Sequence, residues 1–203
     1  MDNTLLRVKY PLIMFEKMIQ TTINGLGDSD AHTLTLFALI LQNKCRNILE
    51  LGVRSGGTTI PMFYASKILN STLTSVDIDV PIFDYQSLEN DYSNYRFAQS
   101  DSIQFLNRQV NDGVLYDFIH IDDWHDGKHV IEELKMIAKL TTNTSIITLH
   151  DAMAHTYPAY KTDEGEGEFG NGGVYRALKS LDPNIWEYCT IPVCHGLTIL
   201  RKI

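Results

Sequence analysis

Positive charge is in short supply in this chain. Lysine and arginine number 17 against 25 aspartates and glutamates, a formal net charge of −8 over 203 residues. Nucleic-acid binding relies on a basic face that releases counterions, so the expected partner is a small molecule or a neutral glycan and not a phosphate-rich polymer. Cysteine is scarce too. Cys45, Cys189 and Cys194 are scattered and form no Cys-x-x-Cys pair, which argues against a disulfide framework or a zinc knuckle and fits a reducing cytoplasm. Long apolar runs are missing. The longest, residues 34–41, falls well short of the roughly 20 residues that cross a bilayer, and Arg7 and Lys9 interrupt the N-terminal stretch where an export signal would lie. No membrane association and a cytoplasmic location are therefore expected. The glycine turn at 52–57 also lacks the dinucleotide spacing Gly-x-Gly-x-x-Gly.

What is present is the run 47–59, NILELGVRSGGTT. It predicts a buried strand that breaks into a glycine turn and then opens a helix. Gly52 permits a turn where a Cβ would clash, and Gly56 and Gly57 let a ligand approach the first amides of the helix. The spacing Gly52-x-x-x-Gly56 does not suit a pyrophosphate, and Glu50 just before the turn would repel one. An acid there suits a cationic amino-acid group. The expected ligand is positive at one end and carries a ribose at the other, a description that S-adenosylmethionine fits.

At 203 residues, 44% hydrophobic and 21% charged, the chain is long enough for one well-buried domain and short for two. From residue 46 onward strand and helix patterns alternate. Strands are predicted at 47–51, 73–77, 95–99, 117–121, 145–149, 186–191 and 197–201, with helices at 58–69, 85–91, 102–107, 128–140 and 174–181. Alternation of this kind predicts an α/β fold, a doubly wound Rossmann-like sheet that is mostly parallel and covered on both faces. The last two strands are joined by too few residues for a crossover and should form an antiparallel hairpin. Residues 1–44 read as an N-terminal helical cap, with helices near 11–23 and 30–42, on a core of 45–203 in a single domain. Its apolar face offers a surface for a homo-oligomer. Residues 154–173 interleave Asp163, Glu164, Glu166 and Glu168 with glycines. They predict a mobile loop, either a solvated insertion or a lid over the site.

Candidate site residues gather at the predicted carboxyl ends of the strands, where open α/β sheets bind ligands. Asp77 ends the second strand and can accept ribose hydroxyls, or cap a helix in competition with Asp79. Ser100, Asp101 and Ser102 follow the third strand, where they can meet an adenine edge, with helix capping by Asp101 an equal alternative. Asp122, Asp123, His125 and Asp126 crowd the end of the fourth strand, and such carboxylates repel one another unless something positive lies among them. Asp151 ends the fifth strand, and adjacent strand ends lie about 5 Å apart. Asp122 and Asp151 can thus share a hard divalent ion such as magnesium. Asp126 reads better as a helix cap. His125 is the candidate proton-handling, catalytic residue, because its unperturbed pKa lies near neutrality. His129 stands at i, i+4 from His125 as in zinc-binding helices, but no third ligand is evident in the sequence, and His120 reads as a core histidine. Nothing in the sequence singles out His32, His155 or His195.

Together these residues resemble the class I S-adenosylmethionine-dependent methyltransferases, in particular the small metal-dependent O-methyltransferases that act on sugars and cephalosporin-type natural products. The resemblance spans about 46–203 and rests on Glu50-Leu51-Gly52 through Gly56, on Asp117 to Asp122 with His125, and on His150-Asp151. It implies a cofactor site at Glu50, Gly52, Gly56, Thr58, Asp77, Ser100, Asp101 and Asp122. A metal site of Asp122, His150 and Asp151 is implied as well, with either His150 or water as the third ligand. The family pattern has Gly where this chain has Asp123, and catechol-type relatives have Asn where it has Ala152. The implied reaction is metal-assisted methylation of a hydroxyl, with His125 removing the proton. Two other readings remain open at this point: a nicotinamide-dependent oxidoreductase, which the glycine spacing and Glu50 disfavour, and a cofactor-binding subunit that does not catalyse.

Overall fold

A computed structural model describes residues 15, 16, 18–20, 23, 29–156 and 168–203. A 3-10 turn (Asp30–His32) leads into α1 (Thr33–Asn43), β1 (Asn47–Leu51), α2 (Thr59–Leu69), β2 (Thr72–Asp77), α3 (Tyr85–Asp91) and β3 (Tyr95–Gln99). Next come α4 (Ser102–Asp112), β4 (Phe118–Ile121), α5 (Gly127–Ile137), β5 (Ile146–Leu149), a 3-10 turn (Ala154–Thr156), α6 (Gly173–Lys179), β6 (Trp186–Ile191) and β7 (Leu197–Lys202). The helix predicted at 11–23 lies mostly, and the centre of the acidic loop at 157–167 wholly, outside the described residues. Among the described residues no helix is long and apolar enough to cross a membrane.

The seven strands form one sheet in the order β3-β2-β1-β4-β5-β7-β6. β1 to β5 are parallel, and β7 is antiparallel to both β5 and β6. The chain winds outward from β1 to β3, then returns to the other side of β1 with β4. The reversal leaves a crevice at the carboxyl ends of β1 and β4, the usual ligand position in such sheets. Strand alternation sorts β1 between two cores. Ile48 packs with Phe63, Phe118 and Leu36 under α1 and α2, while Leu49 and Leu51 pack with Ile119, Leu134 and Ile137 under α4 and α5. Glu50 shares the parity of Ile48 and so points toward α2. The register sets Ser75, Glu50, His120 and Thr148 in one row across the sheet, a buried polar stripe in an otherwise apolar layer.

Element types follow the sequence and several boundaries differ. Residues 30–32 form a 3-10 turn, so α1 starts at Thr33. α4 runs past the predicted end at 107 to Asp112, because Phe105 and Leu106 keep its inner face buried until Gly113 stops it with φ of 67°. β4 starts at Phe118 because the Asp117 carboxylate turns back to accept the Arg46 and Asn47 amides at 2.7 and 3.0 Å. Asp101 and Asp126 cap helices: Asp101 accepts from the Gln104 amide at 2.9 Å, and Asp126 from the Lys128 amide at 2.9 Å.

Candidate functional site

The glycine turn after β1 is shaped by a close approach. Gly52 has φ of +86°, and a Cβ there would lie 2.1 Å from the carbonyl oxygen of Asp122, so the ends of β1 and β4 touch through this position. Gly56 has φ of +80°, and a Cβ there would strike the Phe83 ring. Asp77 fastens the turn from β2: its Oδ2 accepts the Val53 and Arg54 amides at 2.8 and 3.0 Å, and its Oδ1 accepts the Asp79 amide at 3.0 Å.

Glu50 departs from the expectation that it faces the ligand. It is fully buried beneath the turn and accepts hydrogen bonds from Thr58, Thr59 and Ser75 at 2.7, 2.9 and 2.5 Å. Burial without a cationic partner pushes its carboxyl up to about 7, against the pull of those three hydroxyls. Strand parity is the cause, since Glu50 must follow Ile48 into the α2 layer.

Two cavities meet at Gly52, Val53, Arg54, Asp122 and Asp123. The larger, about 600 Å³, runs from Asp77 to Ser100, Asp101 and Ser102 under an apolar rim that includes Ile78, Val80 and Trp124. An acid beside an apolar slot offers hydroxyl acceptors for a ribose and flat faces for a base. The smaller, about 420 Å³, has a mostly polar lining that includes Thr58, His125, Asp151, Glu168 and Phe169. Glu50 lines neither.

Imidazoles and carboxylates interleave at the inner end of the smaller cavity. His125 Nε2 lies 2.9 Å from Asp151 Oδ2 and 3.4 Å from Asp122 Oδ1. His150 Nδ1 lies 3.2 Å from Asp122 Oδ1 and 3.1 Å from Asp151 Oδ2, while its Nε2 donates to the Cys194 carbonyl at 2.9 Å. Burial disfavours charge on both rings, but the paired carboxylates outweigh it and raise His125 to about 10 and His150 to about 11. In return, against the opposing effect of burial, Asp151 falls to about 2 and Asp122 drops well below the ordinary carboxylate range. The crowding of acids that in the sequence points to a divalent ion is thus also met by two imidazolium rings.

The donor atoms that converge on one point belong to Asp122, His125 and Asp151, all within 4.8 Å of one another. Two carboxylates and an imidazole fit a divalent ion, and Asp151 Oδ1 is buried with no hydrogen bond, its nearest partner being an ionic contact with His195 Nδ1 at 3.3 Å. His150, the expected third ligand, lines neither cavity, yet its Nδ1 stands 3.2 and 3.1 Å from the same two carboxylate oxygens, so both imidazoles border the cluster.

Other predicted positions find different work. Asp126 faces away and accepts from Asn171 at 2.6 Å. His120 is a core residue whose Nδ1 meets Thr148 Oγ1 at 2.9 Å, and burial lowers it to about 4. Several site residues escape the sequence reading. His195 Nδ1 sits 3.3 Å from Asp151 Oδ1, Phe169 stacks on His125 with centroids 4.9 Å apart, and the His32 ring meets the His150 ring at 5.4 Å. The hairpin was the available signal: β7 runs antiparallel to β5, so the loop before it must end beside the residues that follow β5. The Met153 amide indeed donates to the His195 carbonyl at 2.6 Å.

A family model described as a methyltransferase domain matches residues 49–152, from β1 through the end of β5. The chain belongs to this methyltransferase family. No curated protein matches it in sequence. Solved structures share its fold at low identity. TomG, an O-methyltransferase from Streptomyces achromogenes involved in tomaymycin synthesis and solved with S-adenosylmethionine, is 15% identical with a TM-score of 0.65, covering 93% of this chain and 89% of its own. The methyltransferase PaMTH1 of Podospora anserina, bound to S-adenosylhomocysteine, is 16% identical with a TM-score of 0.63, covering 100% of this chain and 96% of its own. MycE, from the mycinamycin biosynthetic pathway, was solved with magnesium, S-adenosylhomocysteine and mycinamycin VI. It is 19% identical with a TM-score of 0.64, covering 93% of this chain and 53% of its own. The fold of this chain is thus shared with methyltransferases solved with S-adenosylmethionine or S-adenosylhomocysteine bound.

Proposed function

We propose that this methyltransferase moves the methyl group of S-adenosylmethionine to a hydroxyl of a small molecule, a sugar or similar natural product, with a divalent ion held by Asp122 and Asp151. The observation that carries the reading is the position of the Asp122–His125–Asp151 cluster at the junction of the two cavities. The larger cavity takes the nucleoside, with Asp77 toward the ribose and Ser100 to Ser102 toward the base. The smaller takes the acceptor, and its acid-rich lining favours an uncharged or cationic molecule.

Within this arrangement the residues orient the reacting groups and move one proton. The turn at Gly52 places the methionine end of the cofactor beside the carboxyl end of β4. His125 Nδ1 is buried and has no hydrogen-bond partner, so it is the atom that takes the acceptor's proton as the C–O bond forms and the C–S bond breaks. Phe169, stacked within 7° of parallel, keeps the ring from turning. When bound, the ion supplies positive charge that lowers the acceptor hydroxyl's pKa and relieves Asp122 and Asp151 of their need for imidazolium partners. The 2.9 Å contact between His125 and Asp151 also supports a second reading, in which Asp151 orients His125 without any ion and the ring, held protonated up to about 10, acts as a base only in alkaline solution.

Calorimetry with S-adenosylmethionine, paired with turnover of hydroxylated acceptors, tests the proposal. His125→Gln should bind cofactor as the parent does while turnover falls about 10²- to 10⁴-fold, the usual worth of a positioned base. Unchanged turnover in that variant would refute the assigned role, and failure of the parent to bind S-adenosylmethionine would refute the whole reading. Chelator separates the two versions: loss of activity restored by magnesium supports the ion, and chelator-insensitive activity supports the His125–Asp151 pair alone.

A further inference from the structure

His125 lies in the loop before α5 and His129 in its first turn, and their rings serve different clusters. His129 Nε2 lies 3.4 Å from Asp123 Oδ2 and 3.4 Å from Glu133 Oε1, with Ser102 Oγ at 3.2 Å. His129 and Glu133 are i, i+4 on α5, so they share a face. Asp123 comes from the loop after β4 and Ser102 from the first turn of α4. With His125 turned to the other cluster, the second and third donors beside His129 are Asp123, across space, and Glu133, along the helix.

Glu133 is the informative member. It is fully buried, and neither of its oxygens has a well-formed hydrogen bond, only the 3.4 Å ionic contact with His129; burial and the neighbouring Asp123 push its carboxyl up to about 8, and Asp123 Oδ1 lacks a hydrogen bond as well. A carboxylate in that condition is costly, and its neighbours Val130, Leu134 and Ile137 show that α5 otherwise buries apolar side chains here. Packing alone gives no reason for an acid at this position.

We propose that Asp123, His129 and Glu133 form a binding site for a divalent transition ion of the zinc type, separate from the Asp122–His125–Asp151 cluster. One imidazole nitrogen and two carboxylate oxygens lie within 4.8 Å of one another. With metal–ligand bonds of about 2.1 Å, the edge of a tetrahedral site is about 3.4 Å, which matches both separations from His129. A nitrogen donor favours a transition ion over magnesium. Asp123, His129 and Ser102 also line the larger cavity, which provides an entry path and room for a fourth ligand. The ion would fasten the loop after β4 to α5 beside the start of α4, stiffening the wall of the nucleoside cavity. Asp122 and Asp123 thus turn to opposite sides, each toward its own histidine.

The test uses the Asp151→Asn protein, in which the other cluster is disabled, and cobalt as a visible probe. Cobalt should bind with one equivalent, give visible d–d absorption, be displaced by zinc, and raise the thermal midpoint. Adding Glu133→Gln should abolish that equivalent. Asp123→Asn, at a partly exposed position, should do the same and serves if the Glu133 variant fails to fold. An absence of visible bands in the Asp151→Asn protein, or equal cobalt uptake with and without Asp123, would overturn the proposal. Because the readout is metal uptake and not methyl transfer, it stands or falls apart from the proposed reaction.

Discussion

Replacing Glu50 with Gln should make this protein more stable at alkaline pH. In the native state the carboxyl lies under the glycine turn with three hydroxyls and no cation, and burial pushes it up to about 7 from an ordinary 4.5. That difference corresponds to about 3 kcal/mol at 1.36 kcal/mol per unit. An acid raised by folding holds its proton more tightly in the native state. Its contribution is fully present below about pH 4.5 and is lost as pH rises through about 7. Glutamine keeps the shape and an acceptor for the hydroxyls, and it cannot ionise. Urea unfolding of parent and variant at pH 5 and pH 8.5 isolates the effect, because every other titrating group cancels in the difference. Near-equal stabilities are expected at pH 5, and a variant more stable by about 2–3 kcal/mol at pH 8.5. A difference independent of pH would show that the carboxyl is stably ionised and the burial reasoning wrong. Cofactor affinity adds a second check: a residue sealed beneath the turn should tolerate the change, whereas direct contact with the cofactor's amino group would make binding collapse.

Gly52→Ala should cost at least about 2 kcal/mol, from left-handed strain plus contact with the Asp122 carbonyl, and it should weaken S-adenosylmethionine binding in calorimetry. A melting point and affinity like the parent's would contradict the close approach of β1 and β4. Asp126→Ala removes the cap of α5 and the Asn171 contact, for a loss of about 1–2 kcal/mol in chemical denaturation. Because Gly127 packs against the Asn171 carbonyl, proteolysis near residues 168–172 should accelerate in that variant. His150→Leu leaves Asp122 and Asp151 without one of the two imidazoles they share and the Cys194 carbonyl with only its longer 3.4 Å contact to His32. A loss of about 3–5 kcal/mol is expected, read as a fall in thermal midpoint, and a neutral effect would show that the ring carries no charge.

Much of this architecture is legible along the chain. Residues 47–51 and 95–99 emerge with the predicted bounds because the first is closed by Gly52 and the second is an alternating segment set between Asn94 and Ser100. The helix starts at Asp101 and Asp126 follow from capping chemistry that needs only neighbouring amides. The side to which Glu50 turns is legible as well, since counting parity from Ile48 sends it toward α2. What could not be read were partners that meet through the return of β7 alongside β5, such as His195 with Asp151. The same holds for residues brought in by segments far along the chain, such as Phe169 against His125.

The sequence by itself determined the order of strands and helices, the glycine turn and the gathering of acids at strand ends, because each depends on local periodicity or on steric limits within a few residues. Only the tertiary structure decided which charges face one another. His125 went to Asp122 and Asp151, His129 to Asp123 and Glu133, and Glu50 to a pocket of hydroxyls. Such pairings depend on how close two elements pack and how much water they exclude, and no stretch of sequence carries either quantity alone.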